Sequence, residues 1–290
     1  MSTAHSRSIL QRFTSFSAPA AGLALLLLSG SGISAADAAG PQCATHSPAH
    51  RMALVELYSS EGCDSCPPAD RWLGQWKSAG AAHGVVPLAL HVDYWNSLGW
   101  TDRFSQHRFT ERQQTLTHLG GAHTIYTPEV FVAGRELRDW SQRDSFERRI
   151  DELVAEPAQA SVALALSPHA PGAFDVDAQF SSTAAATAGP LSAYLAVYEN
   201  ALTSQVGAGE NRGATLHHER VVRAWFGPVP LVAGHARIRQ DIDVHDAPDD
   251  AKAAPITNVD AAAGRFGVVA FVESDASGEV LQATDLTACR

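Results

Sequence analysis

The order of apolar and polar positions predicts a chain that changes texture near its middle. Residues 52–58 (Met-Ala-Leu-Val-Glu-Leu-Tyr) form an apolar run of strand length, which predicts a buried strand. Trp72 and Trp76, four apart, share one face of a helix predicted over about 67–79. A second strand is predicted over 85–93, with Pro87 tolerated near its start. An irregular aromatic stretch at 94–102 (Tyr94, Trp95, Leu98, Trp100) precedes a helix predicted over about 103–119, ending at Gly120-Gly121. Val130-Phe131-Val132 predicts a strand, Ala133-Gly134-Arg135 a tight turn, and Glu136-Leu137 a returning strand. Ser141 and Asp144 suit an N-cap and its N3 acid. Phe146, Ile150 and Leu153 then recur as the apolar stripe of a helix.

After Pro157 the period shortens to two. Val162, Leu164 and Leu166 alternate, as do Phe174, Val176, Ala178 and Phe180, and then Leu191, Ala193, Leu195 and Val197. Further extended runs fall at about 215–226, 236–244, 266–273 and 279–283, divided by turn-forming residues. Short alternating strands of this kind predict a β-sandwich. The expected architecture is therefore an α/β domain over 39–157 followed by an all-β, sandwich-like domain over 158–290, with no internal repeat. Ala-rich stretches at 183–189 and 251–263 read as loops.

The first 38 residues carry a different pattern. Arg7 and Arg12 precede an apolar core at 21–28, and small residues follow, with cleavage fitting after Ala36, Ala38 or Ala39. The core is short for a membrane span. A signal peptide and an exported protein, periplasmic or secreted, are expected, with no membrane span in the mature chain. A formal net charge of −10 disfavours nucleic acid as a partner, because like charge repels the phosphate backbone.

Export changes the meaning of the four cysteines, Cys43, Cys63, Cys66 and Cys289. The spacing pairs Cys63 with Cys66, and elimination pairs Cys43 with Cys289 as a structural disulfide. Cys63-Asp64-Ser65-Cys66 sits between a buried strand and a helix start, where Pro67 and Pro68 are tolerated. Partial positive charge at a helix N-terminus favours a thiolate. Cys63 is the candidate attacking group and Cys66 the resolving one. Asp64 opposes thiolate formation, which predicts a weakly oxidising couple. Zinc at the pair would need two further ligands, and no second Cys-x-x-Cys exists.

Over about residues 50–155 the order of elements resembles the thioredoxin fold, with an excess helical insertion at about 94–125. That resemblance implies a cis-proline at Pro128 beside the cysteines, with Thr127 offering backbone groups to an extended substrate. It also implies a role for Glu56, seven residues before Cys63, as a buried acid assisting proton transfer to Cys66; the alternative is an outward, solvated Glu56. A closer resemblance rests on "SSEGCDSCPPAD", "HVDYWNSLGW", "YTPEVFVAGR" and "GENRGATLHHERVVRAW". Together these are similar to an exported bacterial group, domain-of-unknown-function family 1223. It implies a thioredoxin-like domain and a β-rich domain, and brings no substrate.

Weaker signals remain. His91, Asp93 and Trp95 alternate toward the cysteines, as a groove lining or as a His–Asp pair supporting the insertion. Residues 209–213 form a constrained loop that either docks back or simply turns. His217 and His218, being adjacent, face opposite sides of a strand and do not serve one ion easily. The expected function is thiol–disulfide exchange with protein or small-thiol substrates, without a cofactor. The alternative is a non-catalytic envelope binding protein in which Cys63–Cys66 is structural. The oligomeric state is left open.

Overall fold

The computed structural model describes residues 43–170, 173–182, 189–243 and 264–288. The expected signal peptide, Cys289, residues 183–188 and residues 251–263 lie outside them.

The first half of the chain places its elements close to the expected positions. Strand β1 spans Cys43–His46 and β2 Ala53–Ser59. Helix α1 spans Pro67–Gly74, with the short α2 at Trp76–Ala79. Then come β3 (Val85–His91), α3 (His107–Leu119), β4 (Glu129–Val132), β5 (Arg135–Glu136) and α4 (Arg143–Val154). The expected cap at Ser141 is not made. Helix α4 starts one residue later, with Gln142 as N-cap and no side-chain cap bond.

The second half is all strand among the described residues: β6 (Ala160–Ala170), β7 (Ala173–Ser182), β8 (Leu191–Glu199), β9 (Leu202–Gln205), β10 (Thr215–His218), β11 (Val221–Pro230), β12 (His235–Asp243), β13 (Phe266–Ser274) and β14 (Val280–Thr287).

The way these strands join corrects the expected fold class. The molecule is mostly β, not an α/β thioredoxin-like domain with a helical insertion followed by a separate all-β domain. One eight-stranded sheet, ordered β14-β13-β8-β11-β3-β2-β4-β5, draws strands from both halves of the chain. Its seam is a parallel bridge from β11 to β3 at Val221 and Ala89, where the Ala89 amide donates to the Arg220 carbonyl at 2.9 Å. The reason lies in which strands are buried on both faces. β13 is buried along its whole length and β8 along nearly all of it. Such strands belong inside a covered sheet, whereas a half-exposed strand keeps one polar face.

A four-stranded sheet, β1-β6-β7-β12, covers one part of the larger one. Val162, Leu164, Phe174 and Val176 meet Leu195, Val197, Val268 and Ala270 in a shared core. A second core lies between the remaining strands and helices α1, α3 and α4. The sheet also curls back on itself: Val280 donates its amide to the Ala133 carbonyl at 3.2 Å. Among the described residues no helix is long and apolar enough to cross a membrane.

Candidate functional site

The cysteine loop joins β2 to α1. Cys63 and Cys66 form a disulfide, and Cys66 is the N-cap of α1, with prolines at the first two helical positions. The Cys66 carbonyl accepts from the amides of Ala69 (2.9 Å) and Asp70 (3.1 Å), which closes the first turn. The Thr127–Pro128 peptide is cis. The Thr127 carbonyl oxygen lies 3.7 Å from Cys63 Sγ, and the indole N–H of Trp95 donates to Thr127 Oγ1 at 2.8 Å. Thr127, Pro128 and Trp95 are thus gathered beside the disulfide.

Residues 209–213 dock onto the same loop. Asn211 Nδ2 donates to the carbonyls of Cys63 (2.8 Å) and Glu61 (3.0 Å). The Asp64 amide donates to the Glu210 carboxylate at 3.1 Å. Trp100 packs against Gly207 and Gly209 and so carries the strap from below. Both cysteines are 0% exposed.

Glu56 sits elsewhere. Ser59 turns toward α1, where its hydroxyl donates to Asp70 Oδ1 at 2.8 Å. Glu56, three residues back, alternates to the opposite face of β2. There it is fully buried and paired with Arg112 of α3 at 2.6 Å, and Arg112 also grips Glu273 of β13 at 2.7 Å. The two carboxylates hold the guanidinium well above its ordinary pKa against the pull of burial.

His91, at the end of β3, is buried and pairs with Asp102, not Asp93, with Nδ1 2.6 Å from Asp102 Oδ2. Asp93 instead accepts from Thr110 at 2.6 Å and faces His107 at 2.9 Å. His91, Asp93 and Trp95 therefore do not form one surface. Cys43, on β1, carries no free thiol, and Cys289, its expected partner, lies outside the described residues.

Beneath the cysteine loop lies a polar cluster that the sequence pattern did not assemble. The His218 ring stands 5.0 Å from that of His91, and Phe104 closes a third side. His218 Nδ1 lies 3.5 Å from Asp70 Oδ2, and Nε2 lies 3.5 Å from Glu61 Oε1. These separations are long for hydrogen bonds, so the attraction is chiefly ionic. Burial opposes a charge on His218, but Asp70 and Glu61 outweigh it and push the pKa up to about 10. Asp102 is held below the usual carboxylate range: burial works against its charge, and His91 with the amides of Glu61 and Phe104 outweighs that cost. His217, next in the chain, is exposed on the other face of β10.

Asp70 was within reach of sequence reasoning, being one helical turn past Cys66 and so on the same face. Glu61 and Asp102 lie in segments without period, where no pattern marks a side chain as inward.

The family described as "protein of unknown function (DUF1223)" matches residues 54–258. The chain belongs to the DUF1223 family. The match spans the cysteine loop, both histidines of the cluster and the strap. Protein AGR_C_4864 from Agrobacterium tumefaciens has a similar crystal structure, at 22% identity and TM-score 0.58, covering 82% of this chain and 94% of that one. HBP35 of Porphyromonas gingivalis is similar at 15% identity and TM-score 0.59, covering 83% of this chain and 76% of that one. At these identities the likeness concerns the fold alone. A comparison with curated proteins finds no match.

Proposed function

We propose that this DUF1223 protein carries out thiol–disulfide exchange at Cys63–Cys66 in an oxidising compartment outside the cytoplasm. The observation that carries the reading is the disulfide itself, placed at the start of α1 with Cys63 Sγ 3.7 Å from the Thr127 carbonyl. In the reduced form the Cys63 thiolate attacks one sulfur of a substrate disulfide and expels the other as a thiolate. The Cys66 thiolate then attacks Cys63 Sγ, releases the substrate as a dithiol and leaves the bridge described here. Two electrons pass to the substrate; run backward, the same steps oxidise a dithiol. Thr127 and Trp95 position an extended substrate against Cys63. Glu56 is assigned no proton transfer, because Arg112 holds its carboxylate on the far face of β2. Export rests on the pattern of residues 1–38, and the formal net charge of −10 fits a partner other than nucleic acid.

A second reading has its own observation. Both cysteines are 0% exposed beneath the 209–213 strap, as a structural bridge in an envelope binding protein would be. The reduction potential, measured in glutathione buffers, separates the two. Exchange is supported by a value of about −120 to −270 mV, together with loss of activity on a model disulfide in Cys63→Ser. A potential below roughly −300 mV, or full activity in that variant, assigns the bridge a structural role.

A further inference from the structure

The cluster beneath the cysteine loop is built for more than packing. Four of its buried polar atoms lack a hydrogen-bond partner among the described residues: Glu61 Oε1, His91 Nε2, and both ring nitrogens of His218. The three carboxylates of Glu61, Asp70 and Asp102 are all buried, and among the described residues their ion-pair partners are two imidazoles alone. Burying that many carboxylates is costly without a cation beside them.

The far side of each ring faces a carboxylate, by a hydrogen bond at His91 and by a longer ionic contact at His218. His91 Nδ1 is bonded to Asp102 Oδ2, which leaves Nε2 turned inward. His218 Nε2 faces Glu61, which leaves Nδ1 turned toward Asp70. The supporting carboxylates are themselves fixed. Asp102 accepts from the amides of Glu61 (2.9 Å) and Phe104 (2.8 Å), and Glu61 Oε2 accepts from the Trp100 indole at 2.8 Å. Asp70 spends Oδ1 on Ser59 and keeps Oδ2 for the cluster. A histidine whose second nitrogen is held by a carboxylate is the usual arrangement around a bound metal.

We propose that His91, His218 and Asp70 bind one zinc ion, with Asp102 and Glu61 orienting the two imidazoles. One donor atom from each of the three lies within 4.8 Å of the others. The 3.5 Å between His218 Nδ1 and Asp70 Oδ2 is close to the roughly 3.3 Å that separates two ligands of a tetrahedral zinc at about 2.0–2.1 Å. Two nitrogens and one carboxylate suit zinc, and three protein donors leave one position for a water or another ligand. The ion ties α1, through Asp70, to β3 and β10, directly below the disulfide. His217 is exposed on the opposite face of β10, so the second imidazole comes from β3 instead.

The test uses the mature full-length protein, stripped with a chelator and reloaded with zinc, or with cobalt(II) as a visible probe. Expected are one ion per chain retained through gel filtration and a tetrahedral cobalt spectrum without a thiolate charge-transfer band. His91→Ala and His218→Gln lose the ion by 100-fold or more in affinity, and Asp102→Asn weakens binding by about 10–100-fold. The Cys63→Ser, Cys66→Ser double variant keeps it. Failure of the wild type to bind at micromolar zinc overturns the proposal, and that measurement needs no variant to fold. So does a cobalt spectrum with thiolate bands, or binding that survives both histidine changes and is lost in His169→Ala, which opens the exposed His169–Asp175–Asp241 group.

Discussion

At the residue scale, Glu129 illustrates how a buried side chain reports its surroundings. It follows the cis-proline Pro128 and is almost fully buried, with Gln113 donating to one oxygen at 2.6 Å and the other without a hydrogen-bond partner among the described residues. Burial, aided by the charge of Glu136, pushes its pKa up to about 7 despite the bond from Gln113. The native state therefore holds a proton that the unfolded chain, titrating near the ordinary 4.5, gives up earlier. The stability tied to that proton is fully present below about 4.5 and is lost as the pH rises through about 7. Urea unfolding across this range should show Glu129→Gln with a flatter pH dependence than the wild type, and an unchanged slope would contradict the assignment. The sequence shows Glu129 as one more acid before an apolar run. Its burial, like that of Asp102 and Glu61, follows from which strands close over it, and that is not written in local spacing. Cys63 and Cys66 were legible from residue type and spacing, whereas the cis bond at Pro128 was reached only through the resemblance in the order of elements.

At the element scale, period and punctuation placed β2, β3, α3, β6 and β7 within a few residues of where they stand. The cap expected at Ser141 falls one residue early: Gln142 stands at the cap in extended backbone, with no side-chain cap bond, and helix ends are where local pattern is least exact. The tight turn after β4 is a further legible feature with a tertiary reason. Gly134 has φ +81, and a Cβ there would strike the Gly278 carbonyl, which the curl of the sheet brings against it. Gly121 has φ +82 with open space around it. Gly121→Ala should thus cost only the left-handed strain, about 1–2 kcal/mol. Gly134→Ala adds a backbone collision and should cost roughly 2–4 kcal/mol. Equal midpoint shifts for the two variants in chemical denaturation would mean that the β4–β5 turn and the β13–β14 hairpin are not held together.

At the scale of the whole molecule, the misread feature was the relation between the two halves, and Arg112 shows what joins them. Alternation along β6, β7 and β8 suggested a sandwich of its own, yet β8 and β13, buried along all or nearly all of their length, needed cover on both faces and found it partly in α3. Arg112 projects from α3, pairs with Glu56 on β2 and Glu273 on β13, and lies over the rings of Trp225 and Phe271 at 4.9 and 5.4 Å. The three charged groups are nearly out of water, so their mutual pairing offsets a large desolvation cost. Arg112→Met leaves two carboxylates buried without their cation and should destabilise the fold by about 3–5 kcal/mol. Adding Glu56→Gln and Glu273→Gln removes the stranded charges and should recover much of that loss. Because the triad spans both halves, calorimetry of the wild type and of Arg112→Met should each show one cooperative transition. Two separated transitions, with only one moved by the substitution, would instead place an independent folding boundary near residue 157.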